Sequence, residues 1–405
     1  MPFIPQTAII LQSLPTTDDG GLPMTGPSSK VKVQSSKSKV QNDPLAAIVE
    51  WDCGTAYDLL LSAHTILNPR SHGIAAPWAA GVRKRLGPQS QRDFKAFYNS
   101  SHSYRAYTPL HLIHEMDPPK DARRFLDYVE AIPDEDFSRR MHFPYIGDET
   151  LERVTAKALK GEKIKESELE AYRKGITRII GVAPAPAAEV RRLFAEMADP
   201  AETKKRWLAA MREYYSAFFA EEEKREKSVL ERMVDEAREM AAASTVSDTV
   251  ERVSHGFTIS EDIDLKRLVL APSIWFHPFT VRMQLAEREL LVVWGAHPPG
   301  YKLVPGESVP DEALLVLRAL GDATRLRLLR LIAAEPRSLQ SLAQEVKLSL
   351  PTVSHHIREL RGAGLIRLEI AGTGRESKYT VRWSSAQQAF RELEEFVKPG
   401  MKRDA

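Results

Sequence analysis

Residues 317–383 read LRALGDATRLRLLRLIAAEPRSLQSLAQEVKLSLPTVSHHIRELRGAGLIRLEIAGTGRESKYTVRW, and the order of elements in this stretch decides the fold. Leu326, Leu328, Leu329, Leu331 and Ile332 recur at helical spacing after Gly321-Asp322, so a helix starts near Asp322. Pro336 stops it, because proline lacks a backbone donor and disfavours helix in the residue before it. Ser338 has the character of an N-cap for a short helix with Leu339, Leu342, Ala343 and Val346 inward. Ser349 is the next N-cap, and Pro351 fits the first turn of the helix it opens.

That helix, Pro351 to Arg361, separates its faces. Val353, Ile357 and Leu360 form the buried stripe, and Thr352, Ser354, His355, Arg358 and Arg361 point away from it. Short hydroxyls and flat donors on one side with an apolar anchor on the other suit a helix that enters the major groove. Leu365 to Ile370 alternates as a strand does, Gly372-Thr373-Gly374 turns the chain, and Ser377 to Trp383 returns. Two helices, a tight turn, a recognition helix and a β-wing make a winged helix-turn-helix. Arg375 and Lys378 sit on the wing, where cations meet phosphate oxygens.

Charge agrees with this reading. Between Arg337 and Arg382 there are eight Lys or Arg against four Asp or Glu, whereas the whole chain is only +2. The basic excess therefore lies on the reading element, as counterion release from phosphates favours.

The segment 312–397 resembles the ArsR/SmtB family of bacterial transcription regulators. ALGDATRLRLL is similar to that family's opening signature, LSLPTVSHHIRELRGAGLI to its recognition helix and following strand, and RESKYTV to its second wing strand. The resemblance implies DNA contacts at Ser349, Thr352, Ser354, His355 and His356, and dimerisation through helices at Asp311–Leu320 and Ser385–Val397. It does not carry over a metal sensor. Many members use cysteines on the helix before the recognition helix, or His and carboxylates on the last one. Here Ser338 to Val346 has no Cys and Ser385 to Val397 has no His. His355 and His356 diverge by about 100° on one helix, so both cannot face one ion, and groove contact is their expected role.

The chain of 405 residues exceeds what one winged helix needs, so two or three domains are expected. The fold class that follows is α+β, mainly helical: a large helical domain at 44–300, a linker at 301–311, and the winged helix at 312–397, with tails at 1–43 and 398–405. Residues 1–43, rich in Pro, Gly, Ser and Lys, read as a disordered tail. No apolar run of about 18 residues is present to span a membrane. One cysteine, Cys53, offers no disulfide framework and suits a reducing cytoplasm.

Within 44–300, AAIVEW reads as a strand and Thr55 to Leu67 as a helix that stops at Asn68-Pro69. Helices are expected at Pro77–Leu86, Gln89–Ser101, Asp121–Ala131, Glu149–Leu159, Glu166–Ile180 and Ala187–Met197, then one long helix from Glu202 to Ala243. Lys266–Ala271 and Glu289–Trp294 read as strands, with YKLV at 301 as a third, bracketing SIWFHPFTVRM. His277 there, among Trp275, Phe276 and Phe279, fits either a packed corner or a sensing pocket. The stretches GTAYDLLLSAHTILNP and PWAAGVRKRL resemble larger bacterial regulators that carry a domain of unknown function ahead of such a winged helix.

No phosphate-cradling glycine loop, nucleophile elbow or HExxH is present. His111 and His114 share a helical face, and Cys53 would need a neighbouring histidine to act as a nucleophile. Expected, then, is a cytoplasmic, sequence-specific DNA-binding regulator with no enzyme activity, cofactor or metal. It would act as a homodimer on an inverted-repeat operator, under a small-molecule or protein effector of the large domain. The alternative is an enzymatic or metal-binding large domain with the winged helix as an accessory module.

Overall fold

The structure is a computed structural model. Its described residues are 43–98, 107–142, 148–180, 185–254, 257–259, 264–298, 301, 303, 311–370, 378–383, 386–387, 390–391 and 393–394. The expected tail at 1–43 therefore falls outside them except for Asp43, whose carboxylate accepts from the backbone of Leu45 and Val246.

Helices dominate, as the α+β reading expects. Strand β1 (Val49–Trp51) leads into α1 (Thr55–Leu67). Then come α2 (Ala76–Lys84), α3 (Pro88–Tyr98), the short α4 (Leu110–His114), α5 (Ala122–Ala131) and α6 (Asp134–His142). They continue with α7 (Glu149–Leu159), α8 (Glu166–Ile180) and α9 (Ala187–Ala198). Helices α10 (Pro200–Tyr214) and α11 (Ala220–Ala243) are joined by one π-turn at Tyr215–Phe219, so the long helix runs on without a break. The short α12 (Val246–Val253) closes the helical series.

Helix α1 is the axis of the helical body. Leu59, Leu60, Leu61, Ala63 and Ile66 are all fully enclosed, and the helix is buried on every side. Its polar residues are bonded: Ser62 accepts from the Tyr214 hydroxyl at 2.9 Å, and His64 Nε2 lies 3.1 Å from the Tyr107 hydroxyl. Gly54, just before α1, permits the tight passage of Lys120, since a Cβ there would come within 2.4 Å of the Lys120 carbonyl oxygen.

A four-stranded sheet follows, in the order β1-β3-β5-β4, with β3 (Arg267–Ser273), β4 (Thr280–Ala286) and β5 (Glu289–Gly295). The pairs β1–β3 and β3–β5 are parallel, and β4 turns back antiparallel to β5 through Arg288, which has a left-handed backbone. The near-continuous apolar runs of β3 and β5 suit a sheet covered on both faces. Side-chain parity sorts the two faces. Val269, Ala271, Leu291 and Val293 join the helical body's core, while Leu268, Leu270, Leu290, Val292 and Trp294 join the core of the winged helix. The sheet is the partition between the two.

Beyond it lie α13 (Asp311–Leu320), α14 (Ala323–Ala334), α15 (Leu339–Val346), α16 (Leu350–Gly362), β6 (Ile366–Ile370) and β7 (Lys378–Val381). The wing pair β6–β7 is antiparallel, as expected. It gains a third strand, β2 (Phe257–Ile259), which pairs parallel to β6. So the wing sheet is completed by residues from within the span 44–300.

Two sequence readings differ from the structure here. SIWFHPFTVRM holds a strand, because Thr280 to Ala286 pairs with β5 after the Phe276–Phe279 corner. Tyr301 and Leu303 belong to no strand, and Tyr301 instead donates its backbone N–H to the carbonyl of Pro298.

Candidate nucleic-acid interface

The caps read at Ser338 and Ser349 form, and Asp322, near which the first helix was expected to start, also caps it. The Asp322 side chain accepts from the backbone of Arg325, that of Ser338 from Ser341, and that of Ser349 from Thr352. Between α15 and α16, Lys347 turns the chain with φ of 57°. On α16, Val353, Ile357 and Leu360 are fully buried in the winged-helix core, as the stripe requires.

The other face of α16 is not uniform. Its first turn is open: Ser349 and Thr352 are exposed, and their hydroxyls lie 2.7 Å apart. Ser354, His355 and His356 are half-buried. His356 leans toward Asp322 on α14, with Nδ1 to Oδ1 at 3.8 Å. Arg358 is only 4% exposed. It donates from Nη2 to His355 Nδ1 at 2.5 Å, which fixes that imidazole as a neutral acceptor. Burial, with the Arg358 charge next, pushes the His355 pKa down to about 4.

The last turns of α16 are covered by the large region. Gly362 faces the Phe276–Phe279 corner, and a Cβ there would come 2.9 Å from the Phe279 ring. The charge of Arg358 is felt at His64 and Tyr107. Arg361 is half-buried, and burial lowers its guanidinium pKa. Lys378, at the start of β7, is exposed, and Arg375 lies outside the described residues. The helical wheel therefore assigns the outward face correctly but cannot reveal that Arg358 and Arg361 meet protein on that face. Phe279, from the corner, covers the helix at Gly362, and Arg282 on β4, which the sequence did not single out, has its charge felt by that of Arg361.

His111 Nδ1 is bonded to the Thr108 carbonyl, while His114 lies 3.9 Å from Asp52, so the pair does not converge. Among the described residues, no group of three or more His, Cys, Asp or Glu is disposed to hold a metal ion. Burial pushes the Cys53 thiol up to about 12, which leaves it protonated and a poor nucleophile at neutral pH. His277 sits in a packed corner, its ring 4.3 Å from that of His297. No helix among the described residues is long and apolar enough to cross a membrane.

Comparison with known proteins agrees with the geometry. A helix-turn-helix domain model matches residues 320–369. An uncharacterized HTH-type transcriptional regulator of Methanocaldococcus jannaschii is 34% identical over 64 residues, covering 16% of this chain and 72% of that protein. The HTH-type transcriptional regulator KmtR of Mycobacterium tuberculosis is 37% identical over 71 residues, covering 16% of this chain and 55% of that protein. The C-terminal part is thus an ArsR/SmtB-type helix-turn-helix domain, homologous to those of transcriptional regulators. The rest has its own affiliation. A family of unknown function, DUF5937, matches residues 56–273, more than half of the chain, and the protein belongs to that family.

Proposed function

We propose that this protein is a cytoplasmic, sequence-specific DNA-binding transcriptional regulator of ArsR type, without enzymatic activity of its own. It acts as a homodimer on an inverted-repeat operator, with half-sites about 34 Å apart. The observation that carries the reading is the open first turn of α16. Ser349 and Thr352 are exposed at the end of a recognition helix whose N-terminal residues reach base edges in this class of fold.

Ser354, His355 and His356 follow along the groove, and Lys378 and Arg375 meet backbone phosphates from the wing. Arg358 and Arg361 are phosphate ligands only after α16 leaves the Phe279 corner, so DNA binding and the docked arrangement oppose each other. The large region, 44–300, thereby has a physical means of control. An effector that favours docking weakens DNA binding, and one that releases α16 strengthens it.

Dimerisation is supported by Leu317 on α13 (41% exposed) and Phe390 beyond β7 (49% exposed), one in each segment expected to pair. The test is fluorescence anisotropy on a selected operator and on scrambled duplexes. Lys378→Ala should weaken all duplexes alike and reduce the salt slope by about one. His355→Ala should change the ranking of sequences. A uniform loss across all duplexes for His355→Ala would remove its base-reading role.

A further inference from the structure

Among the described residues, buried cations differ in how their charge is met. Lys120 (6% exposed) donates to Asp52 at 2.5 Å. Lys204 (7% exposed) donates to the Glu130 carbonyl at 2.8 Å and sits 3.0 Å from Asp134. Arg282 on β4 is as deeply placed at 4% exposed, yet neither Nη1 nor Nη2 has a hydrogen-bond partner.

Its guanidinium lies over the Phe257 ring, 5.0 Å from the centroid, on β2 of the wing sheet. The titratable groups that act on it are Arg361, from the last turn of α16, and Tyr379, from β7. Among the described residues, no carboxylate joins them. Burial lowers the Arg282 pKa to about 9, which still leaves it charged at neutral pH. Phe257 is in register with Leu368, and Leu368 with Tyr379, while Gly362, next to Arg361, faces Phe279, three residues before Arg282. The buried guanidinium of Arg282, the half-buried one of Arg361 and the Tyr379 phenol are thus brought to the seam between the four-stranded sheet and the winged helix. An uncompensated buried charge is costly, and arginine is the side chain suited to planar, two-point recognition of an oxyanion. Arg361 keeps partial exposure, which gives the group an edge toward solvent.

We propose that Arg282, Arg361 and Tyr379 form a binding site for the carboxylate or phosphate group of a small molecule, at the junction of β4, α16 and β7. The site supplies the signal that the regulator reading requires and rests on that reading for its effect on DNA. An oxyanion held by Arg282 and Arg361 ties the recognition helix to the sheet. It stabilises the docked arrangement and lowers DNA affinity, and DNA lowers anion affinity by the same factor.

The test begins without DNA, so that its failure is separable from failure of the regulator reading. Thermal unfolding of the full chain is followed with inorganic phosphate or succinate, each against chloride at matched ionic strength. At saturation, one of them should raise Tm by about 5 °C. Arg282→Met should raise Tm without anion, because it removes an unpaired buried charge, and should abolish the anion-induced rise. Arg282→Lys keeps the charge without the fork and should retain less than half of the rise, which covers the case in which the methionine variant fails to fold. Equal rises in wild type and variants, or no rise from either anion in wild type, would overturn the proposal. If neither anion acts while Arg282→Met reduces the salt slope on duplex DNA by about one, the pair serves DNA phosphate and the small-molecule site is overturned.

Discussion

Asp58 and Glu226 are both fully enclosed in the helical body and both bond to Trp275. Burial pushes the Asp58 carboxyl up to about 6. It is held from rising further because it accepts from the Ser273 hydroxyl and from the backbone N–H groups of Ile274 (3.1 Å) and Trp275 (3.3 Å), so of the two carboxyls it is the better place for negative charge. Glu226 accepts from the Trp275 indole at 2.7 Å. Burial, with the Asp58 charge second, pushes its carboxyl well above the usual range, and the pair's proton rests on Glu226. A carboxyl whose folded pKa is raised supports the fold fully below its unfolded value of about 4.3, and that support falls as pH rises from there toward the folded pKa. Glu226→Gln keeps the indole's acceptor and never ionises. Its Tm should match wild type near pH 4 and exceed it by a margin that grows toward pH 8. A constant difference at all pH values would place the proton elsewhere. Nothing in the sequence pairs residue 58 with 226, because they come together only through Trp275, far from both along the chain. Arg358 shows the same limit: helical periodicity gives its direction, and only the tertiary fold gives what it meets.

At the scale of elements, the helix-turn-helix was the legible part. Its stops are chemical, with Asp322, Ser338 and Ser349 as caps and Pro336 as a breaker, and all three caps form. Helices Glu149–Leu159 and Glu166–Ile180 also run between the residues their periodicity indicates. Strand β2 was not legible. It is three residues long and draws its support from β6, more than 100 positions later. Strand β4 was hidden because both its faces are covered at its start, which erases the alternation that would mark it. The contact of α16 with the sheet's corner can be tested at Gly362. Its backbone is helical, so valine is tolerated there and gains a few tenths of a kcal/mol in propensity. A side chain there strikes the Phe279 ring, an overpacking cost of about 1–3 kcal/mol. Gly362→Val should lower Tm by several degrees and leave DNA affinity unchanged or higher, measured by calorimetry and anisotropy. An unchanged Tm would mean that α16 does not dock on this corner.

For the whole molecule, the parity of β3 and β5 matters most. Alternate residues along the same strands serve two cores, one in the helical body and one in the winged helix. The sheet's corner also touches α16 directly, at Gly362. This packing was out of reach of the sequence, where the linker near residue 301 reads as a separation between independent halves. What holds for the chain as a whole is that a recognition helix with an open first turn and a covered last turn is joined to a large DUF5937 region.

Selection of bound sequences from random duplex DNA by the full-length protein, at about physiological salt, tests the central claim most directly. The account expects enrichment of an inverted repeat with half-sites one helical turn apart, lost when Thr352 and His355 are both replaced by alanine. Absence of any enriched motif, with wild type and double variant indistinguishable, would contradict it.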